Sequence, residues 1–384
     1  MTTPARDCLV RLNQMEGLGS ATIHRLLKAT QAPEEIFQLS RDAIRQILGH
    51  FATEEVLRQI ERVPSGEEVK KEYQRAQETG VTVVTILDCD YPKLLKEIPD
   101  PPPVLYVKGT LMEEDLAAVA MVGTRLPSPY GLYVARTLGG ELASSGLTIV
   151  SGLAQGIDAA SHEGALEKGG RTIAVLRHGL SHLYPPGHRK LGLRIAQSGP
   201  LISEFPMEFP PIPSNFPRRN RVISGLSLGV IVVEAPRKSG ALITAQEAME
   251  QGREVFAVPG PVSSAKSRGC HQLIRDGAKL VETPLDVLEE LTPYLKDQIG
   301  LWKRKRSPEM EAGIAARVGW THSSVLTREE SLLYEVIPVG TAAVVDSLVE
   351  KIDMTPSRLL PLLTTLELKG LVHQIPGQGY SRVS

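Results

Sequence analysis

Residues 147–158 read Leu147-Thr148-Ile149-Val150-Ser151-Gly152-Leu153-Ala154-Gln155-Gly156-Ile157-Asp158. A short apolar, β-branched run ends in a serine and a glycine turn, and a helical stretch of roughly Ile157–Lys168 follows. Strand, turn and helix in that order form half of a βαβ unit. The pattern repeats on both sides. Apolar runs at Val81–Leu87, Ala117–Val122, Thr172–Leu176, Leu228–Glu234 and Glu254–Val258 alternate with helical stretches at Tyr130–Ser145, Gly187–Gln197 and Leu242–Gln251. Such alternation predicts an α/β core, a parallel sheet with helices on both faces. Ligands of these sheets lie beyond the carboxyl ends of the strands, so the residues just after each run matter most.

Three of those turns are rich in glycine and hydroxyls. After Ala117–Val122 come Gly123-Thr124-Arg125 and then Ser128-Pro129-Tyr130-Gly131, opening a helix. Glycine permits close approach, a helix start offers free amides, and Arg125 carries a fork for two phosphate oxygens. The same residues also read as a tight turn with Ser128 as N-cap. In the second turn Ser151, Gly152 and Gly156 precede Asp158, a residue that caps the helix or bonds loop amides, and His162 reads as a scaffold histidine. The third is Glu234-Ala235-Pro236-Arg237-Lys238-Ser239-Gly240-Ala241-Leu242-Ile243-Thr244. Lys238, Ser239 and the amides near Gly240 suit one phosphate, with Thr244 one turn into the helix. No Gly-Lys-Ser/Thr closes the loop, so it is not a nucleotide-hydrolase phosphate loop. Val258-Pro259-Gly260 and Ser267-Arg268-Gly269-Cys270-His271 add two further edge loops. Their convergence points to an anion-binding crevice. The sequence holds no metal-ligand spacing, no Ser/His/Asp set and no close carboxylate pair in these loops, so neither cofactor nor metal is expected.

The densest charge lies in Asn215-Phe216-Pro217-Arg218-Arg219-Asn220-Arg221. Three guanidinium groups within four positions repel one another unless an anion joins them. A nucleic-acid backbone supplies such an anion, and an exposed Phe216 offers a face to an unpaired base. The competing reading is a solvated basic loop with Phe216 in the core. Residues 177–226 hold seven Lys/Arg against two Asp/Glu, although the whole chain of 384 residues has a net charge of −1. Any anionic partner is therefore steered to a local patch.

Length and composition, 42% hydrophobic and 23% charged, describe a globular chain of more than one domain. Residues 1–75 read as all-helical, with Met15-Glu16-Gly17-Leu18-Gly19-Ser20 resembling the turn of a helix–hairpin–helix (SAM-like) domain or forming a plain helical turn. Residues 76–295 hold the α/β core. Residues 296–325, with Lys303-Arg304-Lys305-Arg306, read as a linker. Residues 326–384 read as helices at Arg328–Val336, Thr341–Ile352 and Thr355–Lys369 before a two-stranded ribbon, a winged-helix pattern. Three scattered cysteines, no membrane-length apolar run and no signal-peptide pattern place the chain in the cytoplasm.

Taken in order, Val122-Gly123-Thr124-Arg125, Ser151–Asp158, Phe216–Arg221, Lys238-Ser239-Gly240-Ala241-Leu242-Ile243-Thr244-Ala245 and Val258-Pro259-Gly260 resemble the successive signatures of the DNA-processing protein A family (DprA/Smf). Asp90-Tyr91-Pro92, Pro102-Pro103-Val104-Leu105-Tyr106 and Leu273-Ile274-Arg275-Asp276-Gly277-Ala278 extend the likeness over roughly 80–290. The resemblance implies an extended Rossmann-like domain that binds single-stranded DNA, forms a homodimer, and protects incoming strands while loading the recombinase RecA onto them in natural transformation. It leaves room for a single-stranded-DNA-binding protein as a further partner. It also implies no catalysis, and a pocket lined by Arg125, the 216–221 stretch and Lys238-Ser239-Gly240. Thr124, Ser161 and Arg177-His178-Gly179 depart from the family pattern, the last at the pocket rim. Two other readings remain: an enzyme of the nucleoside-monophosphate phosphoribohydrolase type, with Glu247 three residues after Thr244 but without the Pro-Gly-Gly-x-Gly-Thr motif, and a nucleotide-sensing module.

Overall fold

The computed structural model describes residues 4–15, 17–61, 65–212 and 215–302 and, toward the C-terminus, parts of 328–382. The chain divides into two units, Met1–Lys305 and Arg306–Ser384.

The first unit is built on a nine-stranded sheet: β1 (Val81–Thr85), β2 (Val104–Lys108), β3 (Ala118–Val122), β4 (Thr148–Ser151), β5 (Thr172–Leu176), β6 (Leu201–Ser203), β7 (Gly229–Val232), β8 (Glu254–Ala257) and β9 (Lys279–Leu280). Their spatial order is β1-β2-β6-β5-β4-β3-β7-β8-β9. From β6 to β9 every pairing is parallel. β1–β2 and β2–β6 are antiparallel, so the expected parallel sheet is mostly parallel and carries an antiparallel edge. β2 follows three consecutive prolines, β6 has three residues and β9 has two exposed ones, too little pattern for any of them to announce a strand.

Side chains alternate across the sheet as a two-residue period requires. Ala118, Ala120 and Val122 of β3 enter one apolar cluster, while Val119 and Met121 enter the other. β3, β4, β5 and β7 are buried at every residue, because helices cover both faces.

The chain leaves β3 through the helix Pro129–Ser144 and moves outward through β4, β5 and β6. The helix Phe216–Gly225 then carries it back to the opposite side of β3, where β7, β8 and β9 follow. The loops after β3 and β7 thus diverge, which opens a crevice at the carboxyl edge. That returning helix is the arginine-rich stretch, for which the competing reading was a solvated basic loop. Pro217 sits in its first turn, where a missing amide costs nothing, and its apolar residues Val222 and Ile223 come only after the arginines.

Residues before the sheet are helical, as expected: Pro4–Gln14, Ser20–Ala29, Arg41–Leu48, Glu54–Glu61 and Gly66–Glu78. They enclose a small core that includes Leu12, Ile23, Leu26, Ile44 and Leu57, while Leu9, Val10, Val69 and Ala76 join the cluster on the sheet. Gly17 turns the chain at φ 81° and Gly19 precedes the next helix. At the other end, the helix Pro284–Trp302 continues into the segment read as a linker. Lys303–Arg306 lie outside the described residues.

In the second unit the helices Arg328–Val336 and Val345–Ile352 and the antiparallel strands Val372–Ile375 and Gly379–Arg382 surround Leu333, Leu348, Leu363 and Val372. Most of the stretch expected as a third helix, and of the Pro-Gly-Gln-Gly turn, lies outside the described residues. Among the described residues no helix is long and apolar enough to cross a membrane.

Candidate nucleic-acid interface

The edge is organised around one ring. Phe216 opens its helix half-buried, and guanidinium carbons lie near its centroid at 4.2 Å from Arg125, 4.4 Å from Arg177 and 5.7 Å from Arg219. Arg125 comes from the exposed loop after β3 and Arg177 is the first residue after β5. The ring is therefore already dressed with cations, not the bare stacking face that the sequence suggested. Cation–π attraction holds the guanidinium groups in place while their mutual repulsion remains.

A single carboxylate offsets them. Asp158, buried at the start of the helix Ile157–Glu167, accepts from the amides of Gly152 at 3.2 Å and Ala154 at 3.4 Å and stands 4.0 Å from Arg219. Arg219 is buried and donates to the Gly152 carbonyl at 2.8 Å. A Cβ on Gly152 would overlap that guanidinium, so the glycine is needed for the approach. Burial, with repulsion from Arg125 and Arg177, pulls Arg219 down to about 10 against the pull of Asp158. Burial and then Arg125 likewise lower Arg177, while burial raises Asp158. Among the described residues, three cations and one anion leave a local positive excess.

The third loop joins this group through the helix Phe216–Gly225, where Asn220 donates to the Gly240 carbonyl at 3.3 Å. Lys238 is exposed and has no ion-pair partner among the described residues. Ser239 caps the helix Gly240–Glu250, its hydroxyl accepting from the Ala241 amide at 3.3 Å. Ala235 donates to Lys266 and accepts from Gly269, each at 2.8 Å, which brings exposed Arg268 to the same edge.

Other expected residues turn inward. Arg221 bonds Glu204, the Ser20 hydroxyl at 2.8 Å and the Asp100 carbonyl at 2.6 Å, and so ties the N-terminal helices to the core. It is 6% exposed, and the helical spacing that points Arg219 to the ring aims Arg221 elsewhere. Ser151 donates to the Met121 carbonyl at 2.6 Å, and Thr244 is buried. Ser128 caps its helix and donates to Glu234. Arg218 is partly exposed, 3.6 Å from Glu204 and 4.7 Å from the Phe205 ring. Gly123 packs on Ile157, and Thr124 donates its amide to the Glu234 carbonyl at 2.7 Å. Gly156 has φ 85° and lies against Thr124. His162 is a core group: its Nδ1 lies 2.7 Å from the Thr172 hydroxyl, and burial pulls it down to about 3.

A cavity of about 730 Å³ lies elsewhere, among the 89–94 and 109–117 loops, and includes none of the edge residues. Among the described residues no three His, Cys, Asp or Glu side chains could hold a metal. Arg177 was noted in the sequence only as a departure. Its place directly after an apolar run was the available signal, the same one that marks Arg125.

The family model for DNA recombination-mediator protein A matches residues 82–292, the span of the sheet. The chain belongs to the DprA/Smf family. A model for the DprA winged helix domain matches residues 330–378, so the C-terminal unit carries a winged helix. Protein Smf of Synechocystis is 35% identical over 96% of this chain and 97% of its own length. DNA processing protein DprA of Bacillus subtilis is 46% identical over 56% of this chain and 73% of its own. Among solved structures, DprA of Streptococcus pneumoniae superposes with a TM-score of 0.63 at 37% identity, covering 76% of this chain and 99% of that one. DNA processing protein A of Helicobacter pylori, solved for its single-stranded DNA binding mode, gives 0.50 at 34% identity over 56% of this chain and 96% of its own. This member of a DNA-processing family thus carries the fold of the core and the winged helix that the family models describe.

Proposed function

We propose that the carboxyl edge of the sheet binds single-stranded DNA. The observation that carries this is the under-neutralised cluster at Phe216, where Arg125, Arg177 and Arg219 gather on one ring and, among the described residues, the one carboxylate within ion-pair reach of any of them is Asp158, beside Arg219. Phosphates neutralise the excess at Arg125, Arg219, Lys238 and the Ser239-Gly240 turn, with Arg218 and Arg177 at the margins. Unpaired bases stack on the guanidinium planes over Phe216 or on its free edge. The single-strand binding mode of the Helicobacter pylori relative supports the reading.

Hypothesis and test belong together here. Five cations on a single strand predict that log affinity falls with log salt at a slope of roughly −3.5. Fluorescence anisotropy with a labelled oligo(dT) across a salt series measures it, and a flat response overturns the proposal. An unlabelled duplex should compete poorly, because its bases are not free to stack.

Built on that binding, the wider proposal follows the family resemblance: a cytoplasmic homodimer that protects incoming strands and passes them to RecA without catalysing a reaction. Pull-down of RecA by the DNA-loaded protein, with a single-stranded-DNA-binding protein as competitor, tests that step.

A further inference from the structure

Where the loops after β3 and β7 diverge, a doubly wound sheet seats the phosphate of a nucleotide on amides at a helix start. In this chain the seat is filled from within. Glu234 follows β7 at 2% exposure, and its carboxylate accepts from the Ser128 amide at 2.8 Å and the Ser128 hydroxyl at 2.6 Å. These groups open the helix Pro129–Ser144, whose positive end further balances the charge. Among the described residues no cation lies within ion-pair distance of this carboxylate. Gly131 provides the space, since a Cβ there would overlap the carboxylate. The Glu234 carbonyl meanwhile accepts from the Thr124 amide at 2.7 Å. Both ends of the loop that carries Arg125 are thus tied to one residue.

We infer that Glu234 is an internal stand-in for a nucleotide phosphate, a positioning residue that holds the Arg125 loop and closes the seat to free nucleotides. The edge then takes only an anion that lies across its loops, the backbone of a polymer. This rests on the single-strand reading of the edge. A second anion in the seat would meet a buried carboxylate at contact distance, where Coulomb repulsion is poorly screened.

The test uses the full chain as wild type, Glu234→Ala, Arg125→Ala and the double variant, with melting curves to verify folding. One probe is labelled oligo(dT); the others are inorganic phosphate and dAMP, followed by calorimetry. Expected are no saturable heat from wild type with either small anion, and saturable binding by Glu234→Ala. Each single variant should lose about tenfold in oligo(dT) affinity, the scale of one charge-assisted hydrogen bond, and the double variant no more than the larger single loss. Multiplying losses, wild-type affinity in Glu234→Ala beside a weakened Arg125→Ala, or phosphate binding by wild type that Glu234→Ala leaves unchanged would each overturn the inference. If Arg125→Ala is silent, the single-strand reading fails instead, and the phosphate arm alone decides the role of Glu234. Should Glu234→Ala not fold, Glu234→Gln keeps the shape and one accepting oxygen. It should then show a partial loss that does not add to that of Arg125→Ala; full affinity or an additive loss refutes the positioning role.

Discussion

Arg221 and Arg219 stand two positions apart on one helix and do different work. Arg221 is met by Glu204, Asp100 and Ser20, a matched set that leaves it no free charge. Arg219 has one carboxylate, 4.0 Å away, while two further guanidinium groups crowd the same Phe216 ring. Charge density in the sequence is the same for both. What separates the structural arginine from the one at the proposed interface is whether the fold already supplies the counter-ion.

The sharpest way to break that contrast is Arg221→Ala. It strands Glu204, itself 2% exposed, with Ser20 at 3.2 Å and Arg218 at 3.6 Å as the side chains left near it among the described residues. Removing one partner of a buried pair costs about 3–5 kcal/mol. Urea unfolding should show that loss, and the salt slope of DNA binding should stay unchanged wherever the variant is folded. A lowered slope would place Arg221 in the interface and erase the distinction.

His162 belongs with the inward set, and pH reveals it. Its folded pKa, pulled by burial down to about 3, lies below the unfolded value of 6.5. The unfolded chain therefore binds the extra proton between those values, so stability is complete above about 6.5 and falls as pH drops toward 3. Each unit costs about 1.4 kcal/mol, hence about 2 kcal/mol between pH 6.5 and 5. Denaturant midpoints at the two values, with His162→Asn as the variant that flattens the difference, measure it. Equal slopes in both proteins would show that other groups carry the acid sensitivity.

Much of the fold was legible because β3, β4, β5, β7 and β8 are apolar, β-branched runs separated by helices, and burial on both faces demands such runs. β2 was hidden behind prolines. The helix Phe216–Gly225 was hidden by its own charges, which left no apolar period to read in its first half. At the proposed site, the positions of Arg125 and Lys238 in loops after strands were legible. The roles of Arg221 and Glu234 were not, because the groups that complete them are distant in the chain: Ser20 lies 201 residues from Arg221 and Ser128 lies 106 from Glu234. No local pattern encodes such a pairing. Phe216 was placed correctly beside the arginines but read as bare, since nothing in its own stretch announces Arg125 or Arg177.

On the outward side, Arg125→Ala should weaken oligo(dT) binding by about tenfold, near 1.4 kcal/mol, with the melting curve unmoved. Lys238→Ala should follow it with a smaller loss, because an exposed ammonium on a mobile stem holds phosphate as a point charge.

The smallest effect tests the boundary between the two sets. Arg177 lies 4.4 Å from the Phe216 ring yet is half-buried and donates to the Ile212 carbonyl at 2.8 Å, so it has one foot in each set. If it serves the strand, Arg177→Ala removes one cation and lowers the salt slope by roughly 0.7, with affinity reduced a few-fold at moderate salt. If it serves the fold, the slope stays and the melting temperature falls. Arg177→Lys separates the cases further: an ammonium keeps the charge and the slope but lacks the planar face that a base or the Phe216 ring stacks against. A preserved slope with reduced affinity in Arg177→Lys would therefore assign the residue to base stacking rather than to phosphate.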